Sequence, residues 1–261
     1  MIIMGCSSLE THSLESVAQT PTNKVYGVWA WNRLENLQKT TLYSIKTIYL
    51  QRHTDLLDNA FRQDVQQLKN NYTVWLLDGN NTSIDDLSFL TYNMSILDNA
   101  KQENIILQGL HLDIEPYTRS DYTQQSMTKI WNRYLQTLTI AAHELHTKGF
   151  KLSVAIPFWL DTININNRPL CDQVIDIADE VIIMTYRTEP NEFLQTAAHE
   201  LAYADIIHKD IYLGIELAPN QNENAPRISF FGQHDKLKAV LTLDIPYHSF
   251  RGFVFHSLDE L

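Results

Sequence analysis

Eight short runs of apolar, β-branched or aromatic residues alternate with longer segments of helical periodicity, and this alternation most constrains the fold of the chain. The runs are 25–31, 45–51, 72–78, 105–115, 152–159, 181–186, 211–216 and 252–256. Such alternation is typical of repeated βα units, and eight parallel strands close a (β/α)8 barrel. Because no linker or composition shift follows residue 24, we expect one α/β domain, a TIM barrel over residues 25–261.

Three intervening segments have the clearest helical spacing. Apolar side chains recur every three or four residues between Met127 and Leu145, and Gly149 follows where a helix C-cap is expected. The segments 56–68 and 193–204 have the same spacing. We therefore predict helices that each pack one face on the sheet.

The composition is that of a globular protein with an acidic surface. Hydrophobic residues make up 44% of the chain, and the formal net charge is −11. We find no run of basic residues, so nucleic acid is not an expected partner. No stretch approaches the roughly 18 to 20 apolar residues that span a membrane. The two cysteines, Cys6 and Cys171, provide neither a disulfide framework nor a paired-cysteine metal motif.

The first residues resemble a bacterial lipobox, in which a cysteine after a small residue receives a lipid. Gly5 and Cys6 stand in that arrangement, and a polar stretch follows them. We therefore expect lipidation of Cys6 and a tether over residues 1–24. The protein would then lie at the bacterial cell envelope or be secreted, and would contact a membrane only through this anchor.

Polar residues concentrate at the end of the fourth run. His111, Asp113 and Glu115 alternate with apolar residues, so all three side chains are predicted to point into the barrel. Three inward ionisable groups are costly in a purely structural strand. Paired carboxylates at a barrel mouth suit acid/base catalysis on a glycosidic bond.

The run LHLDIEPY, with the later segment Met184-Thr185-Tyr186, resembles the family 18 glycoside hydrolases, the chitinase-like barrels. The resemblance implies a hydrolase that needs no cofactor and acts on a polysaccharide or oligosaccharide. It implies that Glu115 is the general acid and that Asp113 orients an N-acetyl group and stabilises a cyclised intermediate. Tyr186 would hydrogen-bond that intermediate.

The sequence also departs from the family's motifs. Gln108 and His111 stand where the first two aspartates of the fourth-strand motif are expected, and Arg187 follows Tyr186 where aspartate is usual. An inactivated relative would show such changes, so a non-catalytic glycan-binding barrel is an alternative.

A second mechanism uses the same acid. The segment Ile114-Glu115-Pro116 also resembles the Asn-Glu-Pro segment of retaining glycosidases, which carry a nucleophilic glutamate on strand seven. Glu216 ends the seventh run and would be that nucleophile.

Other strand ends carry candidate substrate-binding residues: Trp29, Trp31, Asp78, His111, Trp159, Arg187 and His256. Flat aromatic faces suit pyranose rings, and Arg187 would pair with Glu216 or Asp113, or bind an anionic sugar substituent. A metal-dependent hydrolase is a further alternative, because His111, Asp113 and Glu115 are all possible ligands. No His-x-His pair ends the first run, so the favoured prediction is a metal-free glycosidase.

Overall fold

The structure is a computed structural model that describes residues 24–261 apart from 33, 35, 42, 53–57 and 220–224. The predicted lipidation of Cys6 and nearly all of the predicted tether lie outside the described residues. Both stay predictions.

Eight parallel strands close into a barrel in chain order, which confirms the predicted fold. The strands are β1 Val25–Ala30, β2 Ile45–Gln51, β3 Thr73–Asp78, β4 Gly109–Leu112, β5 Lys151–Pro157, β6 Glu180–Met184, β7 Asp210–Glu216 and β8 Phe250–His256. Each strand pairs with its successor, and β8 pairs with β1. The carboxyl ends of all eight strands therefore meet at one mouth.

Helices surround the barrel in the part of the chain that the structure describes. They are α1 Asn59–Leu68, α2 Ser88–Gln102, α3 Met127–Thr147, α4 Leu170–Ile177, α5 Pro190–Gln195, α6 Ala198–Ile207, α7 Ala225–Ile228 and α8 His234–Leu241. The prediction for α3 is confirmed, and Gly149 after it has a φ of +80°. None of the described helices is long and apolar enough to cross a membrane.

The predicted helix over 193–204 is two helices rather than one. At Ala197 the backbone leaves helical geometry, with φ −117° and ψ 4°, so α5 ends and α6 begins. Phe193 on α5 and Leu201 on α6 are nevertheless both fully buried. The apolar spacing thus identified the buried face correctly, while the break between the helices was missed.

The fourth strand is shorter than predicted. It covers Gly109–Leu112 instead of 105–115, because Glu115 already precedes a 3-10 helix at Pro116–Thr118. Pro116 has no N–H to continue a strand ladder. His111 consequently lies inside the barrel, whereas Asp113 and Glu115 lie beyond the strand end, at the mouth.

A chain of hydrogen bonds crosses the barrel interior below the mouth. The Trp29 indole N–H donates to Nε2 of His111 (2.9 Å), and Nδ1 of His111 lies 2.7 Å from the Ser153 hydroxyl. Ser153 and Tyr49 donate to the same oxygen of Glu180, at 2.8 and 2.9 Å. Burial raises the pKa of Glu180 to about 7, against an ordinary value of 4.5, even though these two donors lower it.

Glu180 makes the stability of the fold depend on pH. The folded state retains the Glu180 proton up to about pH 7, whereas the unfolded chain releases it near 4.5. The folded state therefore binds more protons in this window, and the free energy of unfolding falls as the pH rises through it. We expect Glu180→Gln, which resembles the protonated acid, to reduce this slope by up to about 1.4 kcal/mol per pH unit. Urea unfolding between pH 4.5 and 7.5 measures the slope, and an unchanged slope in the variant would contradict the burial of this carboxyl.

Candidate active site

Asp113 and Glu115 form the acidic centre of the mouth. The backbone N–H of Asp113 donates to the Asp78 carbonyl at 3.0 Å, which extends the pairing of β4 with β3 by one residue. A Cβ at Gly79 would lie 2.5 Å from the Asp113 carbonyl oxygen, and Gly79 has a φ of +133°. Only glycine allows β3 to turn this close to Asp113.

The carboxyl group of Asp113 is strongly desolvated. Its Oδ1 is buried and has no hydrogen-bond partner among the described residues. Burial and then the negative charge of Glu115 raise the pKa of Asp113 to about 7, while the nearby His256 lowers it. Asp113 therefore exchanges its proton near neutral pH, as a group in acid/base chemistry does.

Glu115 lies beside two aromatic side chains, Tyr117 and Trp159. The hydroxyl of Tyr117 donates to Oε1 of Glu115. The Tyr117 ring meets the edge of Trp159 with centroids 4.9 Å apart, and Trp159 is partly exposed. Glu115, the predicted acid, and Trp159, a predicted aromatic platform, thus lie together through Tyr117. Tyr117 was missed by the sequence analysis, although it has the same alternation as Asp113 and Glu115.

Glu216 and His256 form a second polar pair at the mouth. Nδ1 of His256 lies 3.0 Å from Oε2 of Glu216, and the N–H of Ala218 donates to Oε1 at 2.7 Å. Burial lowers the pKa of His256, but the bond to Glu216 and the surrounding carboxylates outweigh that effect and raise it overall. The bond to Glu216 therefore favours the protonated form of His256.

Tyr186 lies within electrostatic range of both acidic groups. Burial raises its pKa well above 10, and the charges of Glu216, Asp113 and Glu115 add to the shift. Its ring lies 6.3 Å from that of His256, centroid to centroid, and Trp31 lies 6.1 Å from the same ring. The indole nitrogen of Trp31 is buried without a hydrogen-bond partner among the described residues. Asp113, Glu115, Tyr186 and Glu216 thus lie near one another, with Trp31 and His256 beside them, and their roles stay predictions.

Two predicted substrate-binding residues lie too deep for that role. Trp29 is 1% exposed and His111 is fully buried, because both point into the barrel interior below the acidic centre. Burial lowers the pKa of His111 to about 3, so the ring is neutral. The prediction of direct substrate contact is wrong for both, and they instead support the residues above them.

Asp78 and Arg187 also differ from the prediction. Oδ2 of Asp78 forms an ion pair with Nη2 of Arg52 at 2.7 Å, so this carboxylate is engaged within the protein. The Arg187 guanidinium lies over the Phe158 ring at 4.3 Å. The predicted pairing of Arg187 with Glu216 or Asp113 is therefore wrong. Its contact with an anionic sugar substituent stays a prediction.

The arrangement does not fit a metal centre on His111, Asp113 and Glu115. Both ring nitrogens of His111 are engaged by Trp29 and Ser153, a full layer below the mouth. Among the described residues, the group with metal-ligand spacing is Cys171, Asp172 and His199, which lies elsewhere, on the outer helices. The metal-dependent alternative for this site is therefore disfavoured by the geometry of its ligands.

The sequence matches no family model and no curated protein. Solved structures with a similar fold include a chitinase from Chromobacterium violaceum, with 15% identity and a TM-score of 0.51 over 74% of this chain and 68% of that one. SleL, the spore cortex-lytic enzyme of Bacillus megaterium, has 13% identity and a TM-score of 0.53 over 93% and 72%. An endo-β-N-acetylglucosaminidase from Cordyceps militaris has 11% identity and a TM-score of 0.56 over 92% and 83%.

These similarities define the fold of the chain. The protein has a divergent chitinase-like (β/α)8 barrel, and the resemblance drawn from two short segments is confirmed at that level. Its structural neighbours are glycoside hydrolases. At such low identities, the activity has to be argued from the residues at the mouth.

The close approach of Gly79 to Asp113 gives a testable consequence. A Cβ at this position must displace the Asp113 backbone, so we expect Gly79→Ala to lower the free energy of unfolding by about 2 kcal/mol or more. Gly232→Ala is the matched control, because Gly232 also has a positive φ (+69°) but no atom lies within 4 Å of the added carbon. It should cost about 1 kcal/mol. Equal losses in urea unfolding would contradict the close packing at Asp113.

Proposed function

We propose that this protein is a glycosidase that cleaves a glycan next to an N-acetylated sugar, with Glu115 as the general acid. The observation that carries the proposal is the buried carboxyl of Asp113 beside Glu115, with one oxygen unpartnered and a pKa raised to about 7. A protein that only binds sugar has no need of a second, desolvated carboxyl next to the first.

The proposed reaction uses the substrate's own acetamido group. Glu115 donates its proton to the glycosidic oxygen while the bond from that oxygen to the anomeric carbon breaks. The acetamido carbonyl oxygen bonds to the anomeric carbon, and charged Asp113 accepts a hydrogen bond from the acetamido N–H. Water then attacks the same carbon, the bond from the acetamido oxygen to that carbon breaks, and the water gives a proton to Glu115, which restores the acid.

The surroundings of Glu216 favour this mechanism over a two-glutamate mechanism. Both oxygens of Glu216 are engaged, one by His256 and the other by the N–H of Ala218. Asp113, in contrast, has a buried oxygen that accepts no hydrogen bond from the described residues. Glu216 is thus better suited to fix His256 than to attack a sugar. The solved neighbours include a chitinase and an endo-β-N-acetylglucosaminidase, which is consistent with an N-acetylated substrate.

Replacement of the acid tests the activity. We expect Glu115→Gln to lower kcat on a chromogenic chitooligosaccharide by about 10²- to 10⁴-fold while its Kd for chitooligosaccharide changes less than about threefold. Glu144→Gln, on the exposed face of α3, is the control and should leave both constants unchanged. A wild-type protein that binds the sugar without turnover would instead identify a glycan-binding barrel.

The substrate itself tests the mechanism. If the acetamido group participates, glycosides with a 2-acetamido group should be cleaved at least about 100-fold faster than their 2-hydroxyl counterparts. Equal rates, together with a glycosyl-enzyme intermediate on Glu216, would overturn the proposed mechanism while leaving the glycosidase assignment intact.

A further inference from the structure

A second cluster of chemically reactive side chains lies in the outer helical layer, separate from the acidic centre. It joins α4 to α6, which pack against each other. Cys171 and Asp172 lie near the start of α4, and His199 and Glu200 lie near the start of α6. None of these residues has a part in the proposed glycosidase reaction.

Three of the side chains already have the spacing of metal ligands. The ligand atoms of Cys171, Asp172 and His199 all lie within 4.8 Å of one another. Nε2 of His199 is 2.7 Å from Oδ1 of Asp172, and Sγ of Cys171 is 3.5 Å from the same oxygen. Tetrahedral zinc bonds of about 2.0 to 2.3 Å place neighbouring ligand atoms roughly 3 to 4 Å apart. Small side-chain shifts would therefore bring all three atoms onto one ion.

Glu200 is the independent observation that points to a ligand. It is fully buried, and neither of its carboxylate oxygens has a hydrogen-bond partner of good geometry among the described residues. Its own backbone N–H and the Cys171 thiol lower the pKa of Glu200 but do not offset its burial, and the thiol is a weak donor whose sulfur is also placed toward Asp172. A buried carboxylate without strong donors is costly. A cation in the cluster would remove that cost.

The carboxylate of Glu200 is directed at the same thiol. Burial raises the pKa of Cys171, and the charge of Glu200 raises it further, more than that of Asp172 does. Burial also raises the pKa of Glu200, to about 8, with Asp161 and Asp172 adding to the effect. Burial and the neighbouring acidic groups thus disfavour the ionised forms of Cys171 and Glu200.

We propose that Cys171, Asp172 and His199 bind one divalent transition metal ion of the zinc class, that Glu200, beside Cys171, turns toward this ion as a fourth ligand, and that the ion links α4 to α6. One thiolate, one imidazole and two carboxylates are ligands that zinc accepts, and four such groups fill a tetrahedral structural site. Zinc binds cysteine as the thiolate, so binding would release the Cys171 proton to water. The His199 side chain is 43% exposed and gives the ion a route from solvent.

Cobalt titration of the full chain tests the thiolate ligand. Co²⁺ should bind one ion per chain and give a thiolate-to-cobalt charge-transfer absorption. Cys171→Ser should lose this absorption, whereas Cys6→Ser, which changes the other cysteine of the chain, should retain it. No absorption in the wild type, or its loss in Cys6→Ser alone, would overturn the proposal.

Replacement of buried Cys171 could disturb folding by itself. Zinc titration of a variant at the partly exposed ligand His199 therefore provides a second test. Zinc at about 100 times its Kd should raise the Tm of the wild type by roughly 5 °C or more. His199→Ala should weaken zinc binding at least tenfold and remove most of that rise. His146→Ala is the matched control, because His146 is also partly exposed and lies 2.8 Å from a carboxylate, that of Asp179. Equal zinc affinity in His199→Ala and His146→Ala would overturn the site, whatever the glycosidase assays show.

Discussion

The hydrogen bond from Trp29 to His111 in the middle of the barrel fixes the layer of side chains on which the residues of the mouth pack. The two rings form an aromatic layer that fills the barrel interior. Because Nε2 of His111 must accept the hydrogen bond, its proton is on Nδ1. The Trp29 ring lies 5.9 Å from that of His256, centroid to centroid, and His256 in turn binds Glu216. A Cβ at Gly214 would already lie 3.3 Å from the same indole. The mouth thus rests on a layer that has little room to shift.

On this layer, the acidic centre combines burial with unequal hydrogen bonding. Glu115 accepts a hydrogen bond from the Tyr117 hydroxyl, and Glu216 pairs with His256. Asp113 has an oxygen without a hydrogen-bond partner among the described residues. Three carboxyl groups at one mouth therefore have different hydrogen-bond partners, and the pKa of Asp113 is raised by its burial. The substitution of histidine for a motif aspartate places a neutral ring beneath this centre.

The sequence predicts the barrel well because strand and helix periodicities differ and eight repeats leave few alternatives. It also predicts the acid pair, since alternation determines the side to which Asp113 and Glu115 point. Alternation does not determine how far along the barrel axis a side chain lies, however. His111 was therefore predicted to lie at the mouth, although it is buried below it. The orientation of the long Arg187 side chain depends on its contact with the Phe158 ring, which the sequence does not reveal. The cluster at Glu200 depends on the packing of α4 on α6, which local sequence does not encode.

The protonation of Asp113 tests the account most directly. Carbon-13 NMR of aspartate carboxyl groups, recorded across pH in the wild type and in Asp113→Asn, isolates the resonance of this side chain. Because burial and the charge of Glu115 raise its pKa to about 7, one resonance should titrate near neutral pH and be missing from the variant. If the Asp113 resonance instead titrates near the ordinary value of about 3.9, the carboxyl is solvated and the proposed acidic centre does not exist.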